Sequence, residues 1–328
     1  MGEFDLIARY FTRPTTRAVL GVGDDCALLQ PSPGMQLAIS SDMLVEGRHF
    51  FADVDPFSLG HKALAVNLSD LAACGATPLA FTLALALPQV DAAWLEPFSR
   101  GLLALADAHG CELVGGDTTA GPLNICITVF GEAPRGQALL RSGAQAGDDI
   151  YVSGMLGDAR LALEILRGRV SAPAAALAAA RVRLEQPTPR VALGAALRGV
   201  ATAAIDVSDG LLGDLGHILK RSGVGATVNT DFATDLIATN AYCTSGNSLF
   251  CPEISLEQWL SWTLAGGDDY ELLFTAPPSC QSRVEMAAQI SQTHVTRIGQ
   301  IDAKRGLRLV DAQGRAVPDT FTSFDHFA

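Results

Sequence analysis

The chain has 328 residues, a formal net charge of −12, and 48% hydrophobic against 18% charged residues. This length predicts two domains, each large enough for its own core, and the composition excludes a disordered chain. Because no run of Lys or Arg occurs, we expect neither nucleic acid nor an anionic membrane as a partner.

The cysteines indicate a reducing compartment. The chain has seven of them, an odd number with no Cys-x-x-Cys pair. Several lie in or beside apolar runs, where a thiol acts as a small hydrophobe. The first residues, MGEFDLIARYFTRP, lack the apolar core of a signal peptide, and no apolar run reaches the roughly 18 residues of a membrane span. We therefore expect a soluble, cytoplasmic protein.

The N-terminal half predicts alternating helices and strands. After the glycine-flanked stretch LGVGDDCALL at 20–29, a helix is expected over residues 56–74. Pro56 suits its first turn, Gly75 suits the left-handed position after it, and Pro78 prevents its continuation. A second helix is closed by Gly110. This second helix covers residues 92–110, and strands are predicted at 79–88, 111–116 and 124–133.

The polar stretch 135–149 predicts an inter-domain connection. We therefore expect an N-terminal domain at 1–136, a connection at 137–148 and an α/β domain at 149–328. Residues 201–223 predict a strand, a turn and a helix, with Ser208 as the N-cap. We interpret Trp259 and Trp262 as helix packing and not as an adenine platform.

Aspartates recur at the ends of apolar elements, most of them in Gly- or Ser-rich turns. They are Asp24 and Asp25, Asp42, Asp70, Asp117, Asp206 and Asp209, and Asp268 and Asp269. Each alone is ordinary turn or cap chemistry. Strand ends of α/β folds share one rim, however, and two carboxylates about 4 Å apart there repel by roughly 4 kcal/mol. Such a cluster must be protonated or must hold cations.

Oxygen ligands without His or Cys at metal spacing favour Mg²⁺ or Ca²⁺. No EF-hand loop is present, and dispersed acids beside Gly turns fit Mg²⁺–nucleotide better than Ca²⁺. The chain also lacks a P-loop and a kinase catalytic loop, and GVGDD lacks the third glycine of a dinucleotide fingerprint. The residues alone thus indicate a Mg²⁺-dependent nucleotide enzyme of unusual fold.

The same motifs resemble the thiamine-monophosphate kinase family, whose superfamily includes aminoimidazole ribonucleotide synthetase and selenophosphate synthetase. The resemblance spans the whole chain in order, through GEFDLIARYF, GVGDDCALL, KALAVNLSDLAACGA, LVGGDTT, RSGAQAGD, IDVSDGLLGDLGHI, GGDDYELLF and FDHFA. The sister enzymes share the Asp-rich layout but not the GEFDLI start or the DHFA end.

The resemblance implies a fold and an activity. The expected fold is α/β (α+β): an N-terminal ATP/Mg-binding and dimerisation domain that pairs across a homodimer to close a β-barrel, then a C-terminal α/β domain of the aminoimidazole ribonucleotide synthetase type. The expected activity is Mg²⁺-dependent phosphorylation of thiamine phosphate by ATP, giving thiamine diphosphate, the final step of its biosynthesis. Two alternatives stay open: another ATP-using member acting on a different phosphorylated small molecule, and a silent nucleotide-binding subunit.

The resemblance also implies roles for individual residues. The metal set is Asp25, Ser40, Ser41, Asp42, Asp70, Asp117, Asp206 and Asp209. The ATP contacts are Gly116, Asp117, Arg141 and Ser208. The thiamine phosphate contacts are His49, Asp268 and Phe324. The family often has Thr at the position of Ser41, Glu at that of Asp268, and Tyr or Trp at that of Phe324.

No general base or nucleophile is expected among the side chains, because the second pKa of a phosphate monoester is about 6 and the acceptor oxygen is already anionic. Of the adjacent pair, we expect Asp25 to bind metal and Asp24 to shape the turn. The family motif places its metal carboxylate second, and neighbours on an extended segment point to opposite faces.

Overall fold

The computed structural model describes residues 2–236 and 254–323. The chain forms two compact units, one of Met1–Leu71 and Ala76–Ala138, the other of Ala72–Gly75 and Leu139–Ala328. Both are mixed α/β structures.

The N-terminal unit alternates helices and strands. Its elements are α1 (Glu3–Tyr10), β1 (Met35–Val45), α2 (Pro56–Ala73), β2 (Thr77–Leu87), α3 (Ala92–His109), β3 (Glu112–Ala120) and β4 (Asn124–Pro134). The sheet order is β1-β4-β2-β3, with β2 and β3 parallel and the other neighbours antiparallel. Among the described residues β1 does not pair with β3, so a single chain has an open sheet and not a closed barrel.

The two long helices confirm the sequence predictions. Helix α2 begins at Pro56, and Gly75 follows it with φ +64°. In α3 the carboxylate of Asp91 accepts the Ala93 N–H at 2.9 Å, and Gly110 ends the helix in the left-handed conformation with φ +58°. Local cap chemistry therefore sets the bounds of both helices.

Helices α2 and α3 contact each other backbone to backbone. A Cβ on Gly60 of α2 would lie 2.1 Å from the Phe98 carbonyl oxygen, and one on Gly101 of α3 would lie 2.0 Å from that of Phe57. Real contacts are never this short, so only glycine fits at these two positions.

The two faces of the N-terminal sheet differ in exposure. On β4, Ile125, Ile127 and Val129 are buried and their alternate neighbours are half-buried. On β1 the alternate positions Leu37, Ile39 and Met43 are 43%, 60% and 53% exposed. We call this side the open face; it also carries Ser41 of β1 and Cys126, Thr128 and Phe130 of β4. Three large apolar side chains on one face of the sheet are therefore exposed in a single chain.

The C-terminal unit is built on a seven-stranded sheet. Its strands are β5 (Asp149–Ser153), β6 (Ala203–Val207), β7 (Gly225–Asn229), β8 (Glu271–Ala276), β9 (Val295–Asp302), β10 (Gly306–Val310) and β11 (Ala316–Val317). The order is β11-β10-β7-β9-β5-β8-β6. Its helices are α4 (Asp158–Leu166), α5 (Ala174–Glu185), α6 (Val191–Ala196), α7 (Leu211–Ser222), α8 (Phe232–Asp235), α9 (Leu256–Ala265) and α10 (Gln281–Ile290), with a 3₁₀ turn at Pro278–Cys280.

Two apolar clusters hold this unit. One packs α7 against the strands, with Ile150, Ile205 and Leu215 at most 2% exposed. The other joins α4, α5 and α9 around Trp259 and Trp262, whose rings meet edge to face at 5.5 Å. The two tryptophans therefore pack helices, as predicted. Within the described residues, no helix has the length and apolar character needed to cross a membrane.

Candidate active site

Strand β1 and helix α2 bring three predicted metal residues together in the N-terminal unit. Ser40 and Asp42 alternate along β1 and so share the face that α2 covers. The Ser40 hydroxyl donates to Asp70 Oδ2 on α2. The Asp42 N–H donates to Asn67 Oδ1 at 3.1 Å, and Asn67 Nδ2 donates to the Ala63 carbonyl at 3.0 Å. Asn67 thus ties the strand to the helix beside the carboxylates.

The carboxylates of Asp42 and Asp70 repel each other. Burial, and to a smaller extent the negative charge of Asp70, raise the pKa of Asp42 from 3.8 to about 6. A cation between the two would offset both effects. The donors are hard oxygens, a hydroxyl and two carboxylates, which suit Mg²⁺. These residues therefore fit the predicted metal.

Ser41 lies on the other side of the sheet. Its hydroxyl donates to the Ile127 carbonyl at 3.1 Å and lies 3.0 Å from Thr128 Oγ1. Strand alternation places its side chain on the open face, away from Ser40 and Asp42. The structure does not bring the Ser41 hydroxyl to the carboxylates with which the sequence grouped it.

Asp117 also lies apart from Asp42. The register runs Asp42–Ile127–Leu83–Gly116 in one row across the sheet, and Asp117 pairs with Ala84 in the next row. Asp117 is exposed and belongs to the open face. Strands β1 and β3 are the two edges of the sheet, three interstrand steps or about 14 Å apart. One chain therefore does not collect the whole predicted metal set, and the described residues contain no group of three or more His, Cys, Asp or Glu placed to hold a metal ion.

Gly116 of β3 has a positive φ and a close backbone neighbour, which together exclude a side chain at this position. Its φ is +147°, and a Cβ there would lie 1.8 Å from the Leu83 carbonyl oxygen. The predicted ATP contact thus has no room for a side chain and leaves its backbone accessible beside Asp117.

Asp24 and Asp25 lie on an exposed loop. Leu20 and Leu28 close this loop by an antiparallel bridge, with N–H···O distances of 3.0 and 3.3 Å. Both aspartates are exposed, and Gly23 before them has φ +129°. The segment is a turn and not the extended strand start that the alternation argument assumed. The preference for Asp25 therefore depends on the motif alone.

His49 follows β1 in a short turn. Its Nδ1 accepts the Val45 N–H at 3.0 Å, and its own N–H donates to the Val45 carbonyl at 3.0 Å. In the neutral ring the proton is therefore on Nε2. The imidazole is held in one orientation with a donor at its far side.

In the C-terminal unit, two loops beside each other carry predicted residues. Asp206 is the fourth residue of β6 and is 5% exposed; Ser208 and Asp209 follow the strand and are half-buried. The second loop contains Asp268, whose N–H donates to the Ser208 carbonyl at 2.8 Å. The structure thus brings together two predicted metal residues, Asp206 and Asp209, with the predicted ATP contact Ser208 and the predicted thiamine phosphate contact Asp268.

The predicted N-cap is wrong. Helix α7 begins at Leu211, and its N-cap is Gly210 with no side-chain cap bond, so Ser208 lies before the helix. The acceptor is Asp214, in the first turn of α7, which receives the N–H groups of residues 208–210. Burial and the charge of Asp209 outweigh the opposite effect of these three N–H bonds and raise the pKa of Asp214 to about 7.

Asp268 is followed by two buried carboxylates. Both oxygens of Asp269 accept the Gly157 N–H, at 3.0 and 3.1 Å, and burial raises the pKa of Asp269 well above its usual value. Glu271 is fully buried and pairs with Arg183 and Arg190. The sequence analysis did not single out these residues as supports, although GGDDYELLF placed two of them beside Asp268.

Arg141 and Phe324 do not join this group in the described structure. The Arg141 carbonyl accepts from Ser222 Oγ at 3.4 Å, and Ser222 is the last residue of α7. Ser208 precedes the first residue of this 12-residue helix, so the length of α7, about 18 Å, separates the two positions. The Arg141 residue is exposed. Phe324 lies outside the described residues.

Known proteins resemble this chain over its whole length. Two family models match it: AIR synthase related protein, N-terminal domain, over residues 23–133, and the C-terminal domain of the same family over residues 145–312. The thiamine-monophosphate kinase of Salmonella typhimurium is 46% identical over 332 residues, covering 100% of this chain and 98% of that protein.

Solved structures agree with these matches. The thiamine-monophosphate kinase of Stenotrophomonas maltophilia has 43% identity and a TM-score of 0.81, with 96% of each chain covered. AaThiL complexed with AMPPCP and TMP has 29% identity and a TM-score of 0.75, covering 91% of this chain and 89% of that one. The chain therefore belongs to the thiamine-monophosphate kinase family of AIR synthase related proteins.

Proposed function

We propose that the chain transfers the γ-phosphoryl group of ATP to the phosphate of thiamine phosphate, giving thiamine diphosphate and ADP. The observation that carries this function is the 46% identity to a thiamine-monophosphate kinase over the full length of both chains. The AaThiL relative, solved with TMP and the ATP analogue AMPPCP, supports the same pair of substrates. The protein is an ATP-dependent kinase of thiamine phosphate.

We assign Mg²⁺ to the cluster of Ser40, Asp42 and Asp70 in the N-terminal unit. Asp206 and Asp209 of the C-terminal unit are also proposed as metal ligands. The support is the hard-oxygen donor set and the raised pKa of Asp42 beside Asp70. When bound, Mg²⁺ neutralises phosphate charge and so lowers the repulsion between two anionic substrates. Asp25, Ser41 and Asp117 stay predicted ligands, and the side chains of Ser41 and Asp117 lie on the open face, away from this cluster.

The transfer is direct and in-line. The attacking atom is a phosphate oxygen of thiamine phosphate, which forms a bond to the γ-phosphorus while the bond to the ADP oxygen breaks. The acceptor oxygen is already ionised at neutral pH, so no side chain has to remove a proton. The residues of the chain bind and orient the two substrates instead.

The remaining assignments divide between the substrates. Gly116 offers its backbone, Ser208 its hydroxyl and Asp117 its carboxylate to the ATP site. Arg141 stays a predicted ATP contact, whose guanidinium can bind phosphate oxygens bidentately, although its backbone lies at the other end of α7 from Ser208. His49 and Asp268 contact thiamine phosphate, His49 through the Nε2 donor that its bond to Val45 leaves at the far side of the ring. Phe324, beyond the described residues, is assigned to the same substrate as a stacking ring.

The functional form is a homodimer in which two N-terminal sheets close a barrel. The support is the open face, where Leu37, Ile39 and Met43 are exposed on a four-stranded sheet. Sedimentation should give about twice 34.3 kDa. Ile39→Lys, which places a charge on this face, should yield monomers, whereas Val182→Lys on an exposed position of α5 should not. A fully active monomer would contradict the barrel.

The free thiols of the described cysteines support a cytoplasmic location.

The purified protein, ATP, thiamine phosphate and Mg²⁺ test the function directly. We expect thiamine diphosphate and ADP in equal amounts, with no reaction after chelation of the metal. ATP carrying a chiral γ-phosphate should deliver it with inverted configuration, and net retention would contradict direct transfer. Turnover of a different phosphorylated acceptor, or ATP binding without turnover, would favour the two alternatives.

A further inference from the structure

Three consecutive backbone N–H groups converge on one oxygen of a residue that the proposed chemistry does not use. Asp214 Oδ2 accepts the N–H of Ser208 at 3.1 Å and those of Asp209 and Gly210 at 3.2 Å. Asp214 is 3% exposed, in the first turn of α7. The backbone N–H of Asp214 donates to the Gly210 carbonyl at 3.0 Å, so Gly210 and Asp214 are joined by two hydrogen bonds of opposite direction.

The turn fixed in this way supports the second loop. The Asp268 N–H donates to the Ser208 carbonyl and the Tyr270 N–H to the Val207 carbonyl, both at 2.8 Å. Asp268 and Tyr270 have φ values of +62° and +51°, in a region that residues other than glycine occupy only when their surroundings hold them there. The shape of the 268–270 loop therefore depends on where the Ser208 carbonyl points.

We propose that Asp214 is a positioning residue that fixes the backbone of residues 208–210 and, through the Ser208 carbonyl, the loop that carries Asp268. The inference rests on the proposed function, in which Ser208 and Asp209 face ATP and metal and Asp268 faces thiamine phosphate. Asp214 itself is assigned to neither substrate, because its Oδ2 is engaged by three backbone N–H groups. Its carboxylate oxygen sets the geometry of the contacts to both.

The unaltered protein gives the first test, by hydrogen exchange of the backbone amides without substrates. The amides of Ser208, Asp209 and Gly210 should exchange as slowly as those in the middle of α7, although they belong to a turn. Fast exchange of these amides in the folded protein would overturn the proposal. Because this measurement needs no activity, it stays informative even if the protein turns over another acceptor.

Two variants of the full chain give the second test. Asp214→Ala removes the acceptor, while Asp214→Asn keeps an oxygen at the same place and loses the charge. We expect the alanine variant to lose about a hundredfold in kcat/KM for both ATP and thiamine phosphate, as small misplacements of binding groups do. The asparagine variant should have a kcat/KM only about tenfold below that of the parent. Amide exchange at residues 208–210, 268 and 270 should become fast only in the alanine variant.

Asp148 provides the matched control. It is 4% exposed, and its Oδ2 accepts the Gln145 N–H at 2.9 Å and the Thr202 hydroxyl at 2.7 Å, at the start of β5. Asp148→Ala should lower the unfolding temperature to a similar degree with kcat/KM within about threefold of the parent. Equal losses of kcat/KM in the two alanine variants, or an asparagine variant as impaired as Asp214→Ala, would refute the positioning role. An alanine variant of Asp214 within threefold of the parent would refute it too. If Asp214→Ala does not fold, exchange in the parent and in Asp214→Asn decides.

Discussion

Glu271→Gln should destabilise the C-terminal unit more than any exposed ion-pair change. The Glu271 side chain is fully buried and makes four polar contacts. Arg183 Nη2 lies 2.7 Å from Oε1, Arg190 reaches Oε1 and Oε2 at 2.5 and 2.6 Å, and Ser153 Oγ donates to Oε2 at 2.6 Å. Glutamine keeps one acceptor oxygen and turns an NH₂ group toward groups that are themselves donors.

The size of the effect follows from what is left behind. The side chains of Arg183 and Arg190 are only 20% and 17% exposed, so the substitution leaves two largely buried guanidinium groups without their shared anion. Removing one partner of a buried ion pair costs about 3–5 kcal/mol. For a unit of this size, each kcal/mol lowers the unfolding temperature by about 2–4 °C, so we expect a fall of roughly 10 °C.

Tryptophan fluorescence during urea or thermal unfolding measures this loss. In a Trp94→Phe background the remaining tryptophans, Trp259 and Trp262, both lie in the C-terminal unit and report only on its unfolding. Glu185→Gln is the matched control, because within the described residues Glu185 pairs only with Arg181, an i,i+4 partner at 2.6 Å, and the two side chains are 13% and 35% exposed instead of fully buried. The control should lose at most about 1 kcal/mol. If Glu271→Gln falls within that limit, the argument from the buried pair is wrong.

Three further changes test the N-terminal unit. Asp25→Asn should weaken Mg²⁺ activation and lower turnover by about a hundredfold, as loss of a charge contact of about 3 kcal/mol does. Asp24→Asn should instead cost at most about 1 kcal/mol of stability. A Mg²⁺ titration of the activity of both variants compares them, and the reverse pattern would invert the assignment. Gly116→Ala should destabilise the unit or displace β3, since its Cβ would meet a carbonyl oxygen at 1.8 Å, and an unchanged unfolding temperature with unchanged KM for ATP would contradict this. Asp42 has a pKa of about 6 against 3.8 when unperturbed, so without metal its contribution to folding stability falls as the pH rises from about 4 to 6. Below about pH 6 Mg²⁺ must displace a proton from Asp42, so the apparent Mg²⁺ affinity should fall as the pH drops below 6. In Asp42→Asn, the free energy of unfolding should change less with pH over this range, as unfolding measured at several pH values would show.

The sequence predicted the elements whose limits depend on neighbouring residues. Helix α2 begins at Pro56 and is followed by Gly75 in the left-handed conformation, and α3 ends at Gly110. Proline and glycine act within one turn of chain, so their effects are visible without tertiary structure. The interpretation of the two C-terminal tryptophans as packing residues also held, since an apolar helix needs a large partner surface.

The arrangement of the carboxylates depends on strand order, which short motifs do not contain. Ser40, Ser41 and Asp42 are consecutive in the sequence, yet alternation sends the middle side chain to the open face. Asp117 lies at the far edge from Asp42 only because β4 and β2 stand between their strands. Ser208 was a reasonable N-cap by residue type, but the acceptor that the turn uses, Asp214, lies six residues further on and was visible only as another acid in IDVSDGLLGD.

Burial separates the aspartates that the sequence presents as one recurring pattern. In the pair Asp268–Asp269, the second carboxylate is 3% exposed, and both its oxygens are engaged by the Gly157 N–H. Because Asp269 is buried and held by these bonds, we expect it to shape the loop, whereas its half-buried neighbour Asp268 is more accessible to a substrate. Asp214, at 3% exposure with three N–H donors on one oxygen, belongs with Asp269 by the same criterion. The criterion does not divide Asp24 from Asp25, because both are exposed on one loop. For that pair the difference lies in what each carboxylate binds and not in where it is held, which is why the Mg²⁺ titration of the two asparagine variants is the measurement that separates them.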